Sequence, residues 1–528
     1  MTKLLNHINT YQSEADYQND KSKNFPNVSY IVENDNVLFV KEKTDYSNDY
    51  LTFEAIEDGT FTFTGTNSNS LSYSLDDGQT WTALASGSAS PTVTSGNKIM
   101  WKGELTPTSS IGIGKFSATA NFNVQGNIMS LLFGDDFTNK TDLTGKDYAF
   151  DNLFYQNTNI KSAKNLVLPA TTLANNCYQY MFYKCTKLTT APELPATTLA
   201  YECYRYMFNG CTGLTTAPAL PAETLALYCY YHMFEGCTSL TTAPELPATT
   251  LQTECYSNMF NGCTNLVNAP TLPATTLTRE CYYAMFQDCT NLVTAPTLPA
   301  ITLANSCYNS MFYGCTNLVN VPDLPATTLT SGCYADMFRG CTSLVNAPTL
   351  PATELAENCY NGMFRGCTSL TSAPTLPATT LAYNCYYGMF LGCTGLTTAP
   401  ELPATTLAEG CYQFMFYACT NLVNAPVLPA TTLASSCYIG MFQDCRSLTT
   451  APVLPATTLV EGCYIQMFYS CTKLNYIKCL ATDIPATNCT SSWVYNVSAT
   501  GTFVKAANMS SWTTGTSGIP TDWTVVNE

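Results

Sequence analysis

Charged side chains are scarce in this chain. Only 11% of its 528 residues are Asp, Glu, Lys or Arg, whereas about a quarter is typical of soluble domains. Acidic residues outnumber basic ones by 38 to 22, and the resulting net charge of −16 makes nucleic acid an unfavourable partner. Apolar residues nevertheless reach 46% and aromatic residues 12%, enough to form a core and too many for a disordered chain.

Histidine is almost missing, and long apolar runs are missing altogether. With only His7 and His232 the chain offers little for a His-based nucleophile, and we expect His232 at the surface. No stretch approaches the roughly 18 consecutive apolar residues that span a bilayer, so we expect no membrane insertion. No phosphate loop, paired-carboxylate motif or metal loop occurs in the sequence. We therefore expect a protein without catalytic activity, cofactor or metal.

A repeat of 26 residues accounts for most of the composition. The unit reads Leu-Pro-Ala-Thr-Thr-Leu-Ala-x-x-Cys-Tyr-x-x-Met-Phe-x-Gly-Cys-Thr-x-Leu-Thr-Thr-Ala-Pro-x, as in 194–219, and twelve copies run from Leu168 to about Lys478. Two positions of this unit hold 24 of the 26 cysteines. A partial copy around 149–154 precedes the array and a degenerate one around 479–489 follows it, as expected of end units that close a stacked core.

Each unit is predicted to hold one helix and one short strand. Cys203, Met207 and Cys211 are spaced by four residues, which places them on one helix face. The two threonines before them are N-cap candidates, and Gly210 ends the helix. A strand of three or four residues then stops before Pro218. Because packed helices need about 8–10 Å and paired strands about 4.8 Å, stacked units would form a curved α/β repeat solenoid with the strands on its concave side.

The chain is predicted to divide into three parts. Residues 1–140 form an N-terminal β-sandwich-like attachment domain, the solenoid occupies 141–490 with about twelve full repeats at 168–478, and 491–528 form a C-terminal β-rich cap. Strand-like segments of the N-terminal part lie at 37–40, 60–63, 71–74, 98–101 and 116–122.

The repeat resembles a known family. Met-Phe-x-Gly-Cys-Thr-x-Leu-Thr, as at 207–215, is similar to the BspA-like leucine-rich repeat of Bacteroidetes surface proteins and of phages that infect those bacteria. The family's common unit is somewhat shorter and has Ala-Phe in place of Met207-Phe208. Residues 25–31, Phe-Pro-Asn-Val-Ser-Tyr-Ile, resemble N-terminal regions of tail-associated proteins of such phages. The resemblance implies a leucine-rich-repeat-like fold and an adhesive or interaction role without catalysis.

Three functions stay open. We favour a non-enzymatic adhesin in a phage virion, folded in the host cytoplasm, which binds virion proteins through its N-terminal domain and a host-surface glycan or protein through its solenoid. Residues 1–8 show no secretory signal, which argues against the alternative, a bacterial cell-surface adhesin. A glycan hydrolase is a remote alternative, because 74–81 resemble the Asp-box of sialidases. A β-hairpin turned at Asp77-Gly78 is the simpler interpretation. The oligomeric state stays open.

Two variable positions on the outward face of the predicted helix supply the candidate ligand-binding residues. Positions equivalent to 205 and 206 change from unit to unit, whereas the framework barely changes. Tyr, Asn and Arg are typical of adaptable recognition surfaces, and drift at solvent-facing positions is the alternative. The candidates are Tyr180, Arg205, Tyr206, Tyr231, Tyr283, Asn309, Asn361, Tyr387 and Phe414. The strand face, where Thr215-Thr216 alternates with Val267-Asn268, is the other possible site and suits a repetitive ligand such as a glycan.

The regular cysteines are predicted to be buried and reduced. Two cysteines eight residues apart on one helix would be about 12 Å apart, beyond the roughly 7 Å limit of a disulfide. The chain also lacks the Cys-x2-Cys pairs of zinc sites. A bond between neighbouring units stays possible, but small apolar thiols in a reducing compartment are favoured.

Overall fold

A computed structural model describes residues 9–11, 28–33, 36–41, 45–65, 70–109, 112–486, 488–509 and 512–528. The strands are β1 Asn9–Tyr11, β2 Val28–Glu33, β3 Asn36–Lys41, β4 Leu51–Ala55, β5 Phe61–Thr64, β6 Ser72–Ser74, β7 Thr82–Ala83, β8 Lys98–Lys102, β9 Lys115–Ala118, β10 Phe122–Asn127, β11 Ile160–Val167, β12 Tyr476–Cys479, β13 Thr502–Lys505 and β14 Thr524–Asn527. One short helix, α1, spans Ser130–Phe133, and a 3-10 turn follows at Gly134–Asp136. In these ranges no helix is long and apolar enough to cross a membrane.

The N-terminal strands form three sheets. β1, β3 and β2 pair antiparallel in the order β1-β3-β2, and a six-stranded sheet has the order β11-β10-β4-β8-β6-β7. β5 pairs separately with β9. The predicted strand segments 37–40, 60–63, 71–74 and 98–101 overlap β3, β5, β6 and β8, and 116–122 covers most of β9 and the start of β10. Residues 25–27 of the tail-like segment lie outside the described residues, and its remainder enters β2.

Aromatic side chains from the six-stranded sheet and from the β5-β9 pair meet in one core. The ring of Phe53, on β4, lies 5.3 Å from that of Phe61 on β5 and 4.9 Å from that of Phe116 on β9. It also lies 5.5 Å from Trp101 on β8 and 5.0 Å from Phe122 on β10. All five side chains are buried. Alternating apolar residues on these strands therefore hold the β5-β9 pair against the six-stranded sheet.

This sheet continues directly into the repeats. β11, in the first partial unit, pairs in parallel with β10, and Ser162 of β11 forms a parallel bridge with Thr190 of the following unit. Phe154 of the same partial unit packs on Phe53 with a ring distance of 5.9 Å. The predicted boundary at residue 140 therefore falls inside a continuous hydrophobic core.

The far end of the array is closed by a second sheet. β12, β13 and β14 pair in parallel, and β12 precedes the predicted start of the cap at 491. Trp493 occupies the position of the buried methionine of the repeat. Its ring stacks on Trp512 at 5.7 Å and lies 6.1 Å from Tyr464 of the last full unit. Large aromatic rings thus cover the end of the repeat core.

The predicted helix in each unit is wrong, because a ribbon of overlapping β-turns replaces it. Cys203 N–H donates to the Ala200 carbonyl at 3.3 Å, which is the i to i−3 bond of a turn. The next amide, of Tyr204, donates instead to the Cys229 carbonyl of the following unit at 3.0 Å. This alternation continues along the ribbon and recurs in the other units. Successive backbone amides therefore alternate: one donates within the unit, and the next donates to the neighbouring unit.

Left-handed residues at every fourth position allow this ribbon to form. Glu202, Tyr206 and Gly210 have φ angles of 52°, 55° and 71°, and the same three positions are left-handed in all twelve units. A β-turn whose third residue has positive φ is of type II, and here such turns alternate with turns that lack one. Gly210 does adopt the conformation expected of a helix C-cap, but it belongs to a turn.

Close stacking explains why turns replace helices. The rings of Phe208 and Phe234 lie 5.5 Å apart with planes 1° from parallel, and those of Tyr204 and Tyr230 lie 5.8 Å apart. Helices cannot approach more closely than about 8 Å, so they would separate these rings and break the hydrogen bonds between units. Backbone hydrogen bonds join the units on both sides. The predicted curvature requires a wider spacing on the helix side than on the strand side, and this difference is therefore absent.

The predicted strand is reduced to single parallel bridges in every full unit but the last, where it forms β12, Tyr476–Cys479. Thr216 bridges Thr190 and Thr242, and Thr198 bridges Thr172. The hydroxyl of Thr198, expected to cap a helix, has no helix to cap. Nearly every unit therefore carries two bridge positions and one turn ribbon; among the described residues Thr328 is the position of this kind without a bridge.

Candidate binding site on the turn face

Inward and outward residues alternate in pairs along the turn ribbon. Met207 and Phe208 are fully buried, whereas the preceding pair, Arg205 and Tyr206, is partly exposed. Equivalent pairs stack from unit to unit because the backbone hydrogen bonds keep them in register. We call the surface made by positions 201–202, 205–206 and 209–210 and their equivalents the turn face.

All nine predicted site residues lie on the turn face and are partly exposed. The structure brings Tyr180, Arg205, Tyr206 and Tyr231 together near the N-terminal end of the array. Tyr387 and Phe414 form a separate pair with rings 5.7 Å apart. Among the described residues, the side chains of Tyr283, Asn309 and Asn361 make no ring contact or hydrogen bond with the other candidates.

Stacked aromatic rings form the centre of the first group. The rings of Tyr180 and Tyr206 lie 4.9 Å apart with planes 5° from parallel, and His232 stacks on Tyr206 at 4.8 Å. Tyr231 meets Tyr206 edge-on at 5.6 Å and Tyr228 at 5.7 Å. We call the whole cluster the aromatic patch; its members are Tyr155, Tyr180, Tyr183, Tyr201, Tyr206, Tyr228, Tyr231 and His232.

Backbone conformation explains much of the variation that suggested recognition. The position of Tyr206 is left-handed in every unit, and Asn258, Asp336 and Gly362 are residue types that tolerate this conformation. Their identity therefore follows from the fold and is no sign of a ligand. A bulky aromatic residue there costs about 1–2 kcal/mol of backbone strain. Tyr206 and its stacked neighbours stand at these positions despite that cost, which points to a role beyond folding.

Arg205 is held between two rings of the patch. Its guanidinium group lies 5.1 Å from the centroid of Tyr206 and 5.3 Å from that of Tyr231, within range of cation–π attraction. Its Nη1 donates to Oε2 of Glu202 at 2.9 Å. Burial raises the pKa of Tyr206, and it raises the pKa of Tyr231 to about 12. Both phenols therefore remain neutral hydrogen-bonding groups at physiological pH.

The carboxylates of Glu202 and Glu235 hold neighbouring polar side chains of the patch in place by hydrogen bonds. Oε2 of Glu202, a buried carboxylate, also accepts bonds from Asn176 at 2.9 Å and Gln179 at 3.3 Å. Glu235 Oε2 lies 2.6 Å from Nδ1 of His232. Glu235 Oε2 also accepts a bond from Asn209 of the preceding unit, so together these bonds link three consecutive units and organise the patch before any partner arrives.

Three parts of the patch escaped the sequence analysis. Tyr183 stacks on Tyr155 at 4.9 Å and meets Tyr180 edge-on at 5.5 Å. Tyr183 and Glu235 occupy a third outward position, between the buried Phe and the Gly of the unit, which a helix would also place beside 205 and 206 because it lies four and three residues after them. Its free variation from unit to unit was the available signal. Tyr155 lies in the partial unit, and Tyr201 and Tyr228 belong to the outward pair before the first cysteine.

The other candidate chemistries have structural explanations. Residues 74–81 form the β6-β7 hairpin, in which Asp76 accepts bonds from the amide of Thr80 at 2.9 Å and the hydroxyl of Ser74 at 2.7 Å. The hairpin interpretation of the Asp-box-like segment is therefore confirmed. All 26 cysteines are free and buried. Burial raises the pKa of Cys203 to about 12, so this thiol is a poor nucleophile at neutral pH.

Stacked units with buried leucine and aromatic columns and an outward variable face define a leucine-rich repeat protein. The profile described as "BspA type Leucine rich repeat region" matches residues 147–292, 205–345 and 283–408, in six copies. This part of the chain therefore belongs to the BspA-type leucine-rich repeat family, as the sequence resemblance implied.

Comparison with other proteins adds little about function. No curated protein matches the chain. A solved structure titled "Crystal structure of TLR13-ssRNA13 complex" is similar over 68% of this chain, with 13% identity and a TM-score of 0.23. The match covers 48% of that chain, about half of its length.

Proposed function

We propose that this protein is a non-enzymatic adhesin whose aromatic patch binds a partner on a host cell surface. The observation that carries the proposal is the stack of Tyr180 on Tyr206, two strained aromatic residues beside an anchored Arg205. The few residues that carry most of the binding energy in protein interfaces are enriched in Trp, Tyr and Arg. Ring faces within the stack cover one another and leave mainly edges, hydroxyls and the guanidinium exposed. We therefore place a protein before a glycan as the partner of this patch.

We propose further that the adhesin is carried by the virion of a phage that infects Bacteroidetes. It would fold in the host cytoplasm, and its N-terminal domain would bind other virion proteins. The resemblance of residues 25–31 to tail-associated proteins supports this location, and buried free thiols fit folding in a reducing compartment. A bacterial cell-surface adhesin is the second candidate. Detection of the chain in purified virions supports the first location, and detection only on bacterial cells supports the second.

Binding of the full chain to Bacteroidetes cells tests the patch. In the variant Tyr180→Gly/Tyr206→Gly the new residues suit the left-handed backbone, so the rings are removed without adding strain. Phe414→Gly is the matched control, because it removes a ring from the same position of a distant unit. We expect the double variant to bind about tenfold or more weakly and the control to bind like wild type. Equal binding by all three proteins would reject the patch as the site.

The absence of catalysis is tested separately. We expect purified protein incubated with host surface polysaccharide to release no oligosaccharide. Release of fragments would make the glycan hydrolase alternative the leading one, whatever the binding result.

A further inference from the structure

A second surface of the repeats is uniform where the turn face varies. In every full unit two adjacent residues, such as Thr197 and Thr198, come just before the turn ribbon. Both are threonine in all units except at Glu223, Ile301 and Glu354. With the exception of Thr172, which is half-buried, all these positions are exposed. We call this surface the threonine ladder; it consists of 171–172, 197–198 and the equivalent pairs up to 457–458.

The fold itself does not require threonine at these positions. The other bridge position of the unit is also exposed, yet its residues change from Thr215-Thr216 to Val267-Asn268 and Thr371-Ser372. Both pairs meet the same structural demand, an exposed parallel bridge. Ile301 and Glu354 show that the ladder also accepts other side chains. A bridge alone therefore does not account for the uniformity of the threonine ladder.

The hydroxyl groups of the ladder have no structural task. Within the described ranges no ladder hydroxyl makes a hydrogen bond to another protein group; Thr249, Thr275 and Thr327 are examples. By contrast, Thr215 Oγ1 at the other bridge position donates to the Thr189 carbonyl at 3.3 Å. The ladder therefore presents free donors and acceptors to solvent, repeated once per unit at about the 4.8 Å spacing of parallel bridges.

A groove with apolar walls runs beside the ladder. Between successive units lie cavities of about 300, 330 and 500 Å³ at equivalent places. The largest is lined by Pro400, Leu402 and Pro403 of one unit and by Pro426 and Pro429 of the next. Pro403 precedes Thr405 of the ladder by two residues. Proline surface of the cavities therefore lies close in the chain to the threonine hydroxyls, with the buried Leu402 at its base.

The few charges near the groove are acidic. Glu401 lines two of the three cavities and Glu245 lines the third, and the equivalent positions of other units hold Glu193 and Asp323 but no Lys or Arg. A polyanion would be repelled here, in a chain whose net charge is already −16. A neutral polymer meets no such penalty.

We propose that the threonine ladder and the adjoining proline groove bind a linear neutral polysaccharide lying along the stack. Sugar rings carry an apolar C–H face that suits the proline-lined cavities, and hydroxyl edges that suit the threonine hydroxyls. The period of the ladder lets one chain contact several units, so weak contacts add along its length. This site is separate from the aromatic patch and does not depend on the function proposed for it.

Electrophoresis of the full chain through gels that contain one polysaccharide tests this proposal. The probes are three neutral polymers, dextran, mannan and a β-glucan, together with anionic polygalacturonate and cationic chitosan. We expect retardation by at least one neutral polymer and none by polygalacturonate. Failure of all three neutral polymers to retard the chain, or stronger retardation by either charged polymer, would overturn the proposal.

Variants then locate the site. Thr379→Val/Thr405→Val/Thr431→Val keeps the shape and strand preference of threonine but removes three hydroxyls, and we expect about tenfold weaker retention. The same three positions changed to Ser restore hydroxyls and should retain binding. Thr397→Val, at the other bridge position, is the control for folding, because valine occurs there in other units. Unchanged retention of the triple Val variant would overturn the assignment, whereas Tyr206→Gly should leave retention intact even if it abolishes cell binding.

Discussion

The Sγ atom of Cys211 lies 3.0 Å from the carbonyl oxygen of Phe182 in the preceding unit. The same thiol-to-carbonyl bond recurs at the second cysteine of all twelve units, at 2.9–3.1 Å. The Phe182 carbonyl also accepts the turn bond from the amide of Cys185. Each second cysteine is thus a small buried donor that joins neighbouring units. Among the first cysteines of the full units, Cys463 alone makes a thiol-to-carbonyl bond, to Cys489 at 3.8 Å.

Serine substitution should separate the two cysteine columns. Ser at Cys211 keeps a donor for the Phe182 carbonyl, so we expect a loss of about 1 kcal/mol or less in the free energy of unfolding. Ser at Cys203 buries a hydroxyl without an acceptor in place and should cost about 1–3 kcal/mol. Urea unfolding of the two variants measures the difference. Equal losses would contradict the role assigned to the thiol-to-carbonyl bonds.

The thiols should be protected in the folded protein and fully available after unfolding. All 26 are buried and free. We expect a thiol reagent at pH 8 to react slowly with native protein and to titrate nearly 26 groups in denaturant. A large shortfall in denaturant without reductant would show that disulfides form.

Stability should fall at alkaline pH. Burial raises the pKa of Cys203, Cys255 and Cys385 from 9.0 to about 12. Above pH 9 the unfolded chain therefore releases protons that the folded chain retains. The contribution of these groups is complete below pH 9 and is lost as pH rises from 9 towards 12. Urea midpoints at pH 7, 9 and 10 should decrease in the last step, and constant midpoints would contradict the buried thiol columns.

Neighbouring left-handed positions should be coupled by side-chain size. A Cβ atom on Gly440 would lie 2.5 Å from the ring of Phe414, whereas one on Gly236 would find its nearest neighbour at 3.8 Å. Gly236→Ala should therefore cost only the backbone strain, about 1 kcal/mol, and Gly440→Ala should cost more. In the background of Phe414→Gly the excess cost of Gly440→Ala should vanish. A double-mutant cycle by urea unfolding measures this coupling, and simple additivity would contradict it.

The sequence predicts the register of the repeat but not the conformation of its main element. Because Cys203, Met207 and Cys211 are four residues apart, they point inward both on a helix and on the turn ribbon. This pattern therefore cannot distinguish a helix from a turn ribbon. The distinguishing signal is weaker: Gly, Asn, Asp or Ser recur at positions 202, 206 and 210 of many units. Only Gly210 stood out, because glutamate and tyrosine occupy the other two positions here.

The candidate site is predictable in part for the same reason. Arg205, Tyr206 and Tyr231 occupy variable positions that face outward both in a helix and in the turn ribbon, so they are predictable from the sequence. Their assembly with Tyr183 depends on the close stacking of units, which holds the rings of Tyr183 and Tyr206 6.4 Å apart, whereas packed helices would be about 8–10 Å apart. Likewise the sequence does not distinguish Glu202, which is buried and orients Arg205, from an ordinary polar surface residue.

Amide I infrared spectroscopy of the full chain tests the central claim, that twelve turn ribbons build the surface on which the candidate sites lie. The method reports on backbone hydrogen bonding and is insensitive to the 34 tyrosines that complicate circular dichroism. We expect bands of turns and parallel β-structure with only a trace of α-helix. A dominant helical band would contradict the account, because packed helices lie about 8–10 Å apart and could not hold the stacked rings of Tyr180 and Tyr206 4.9 Å apart.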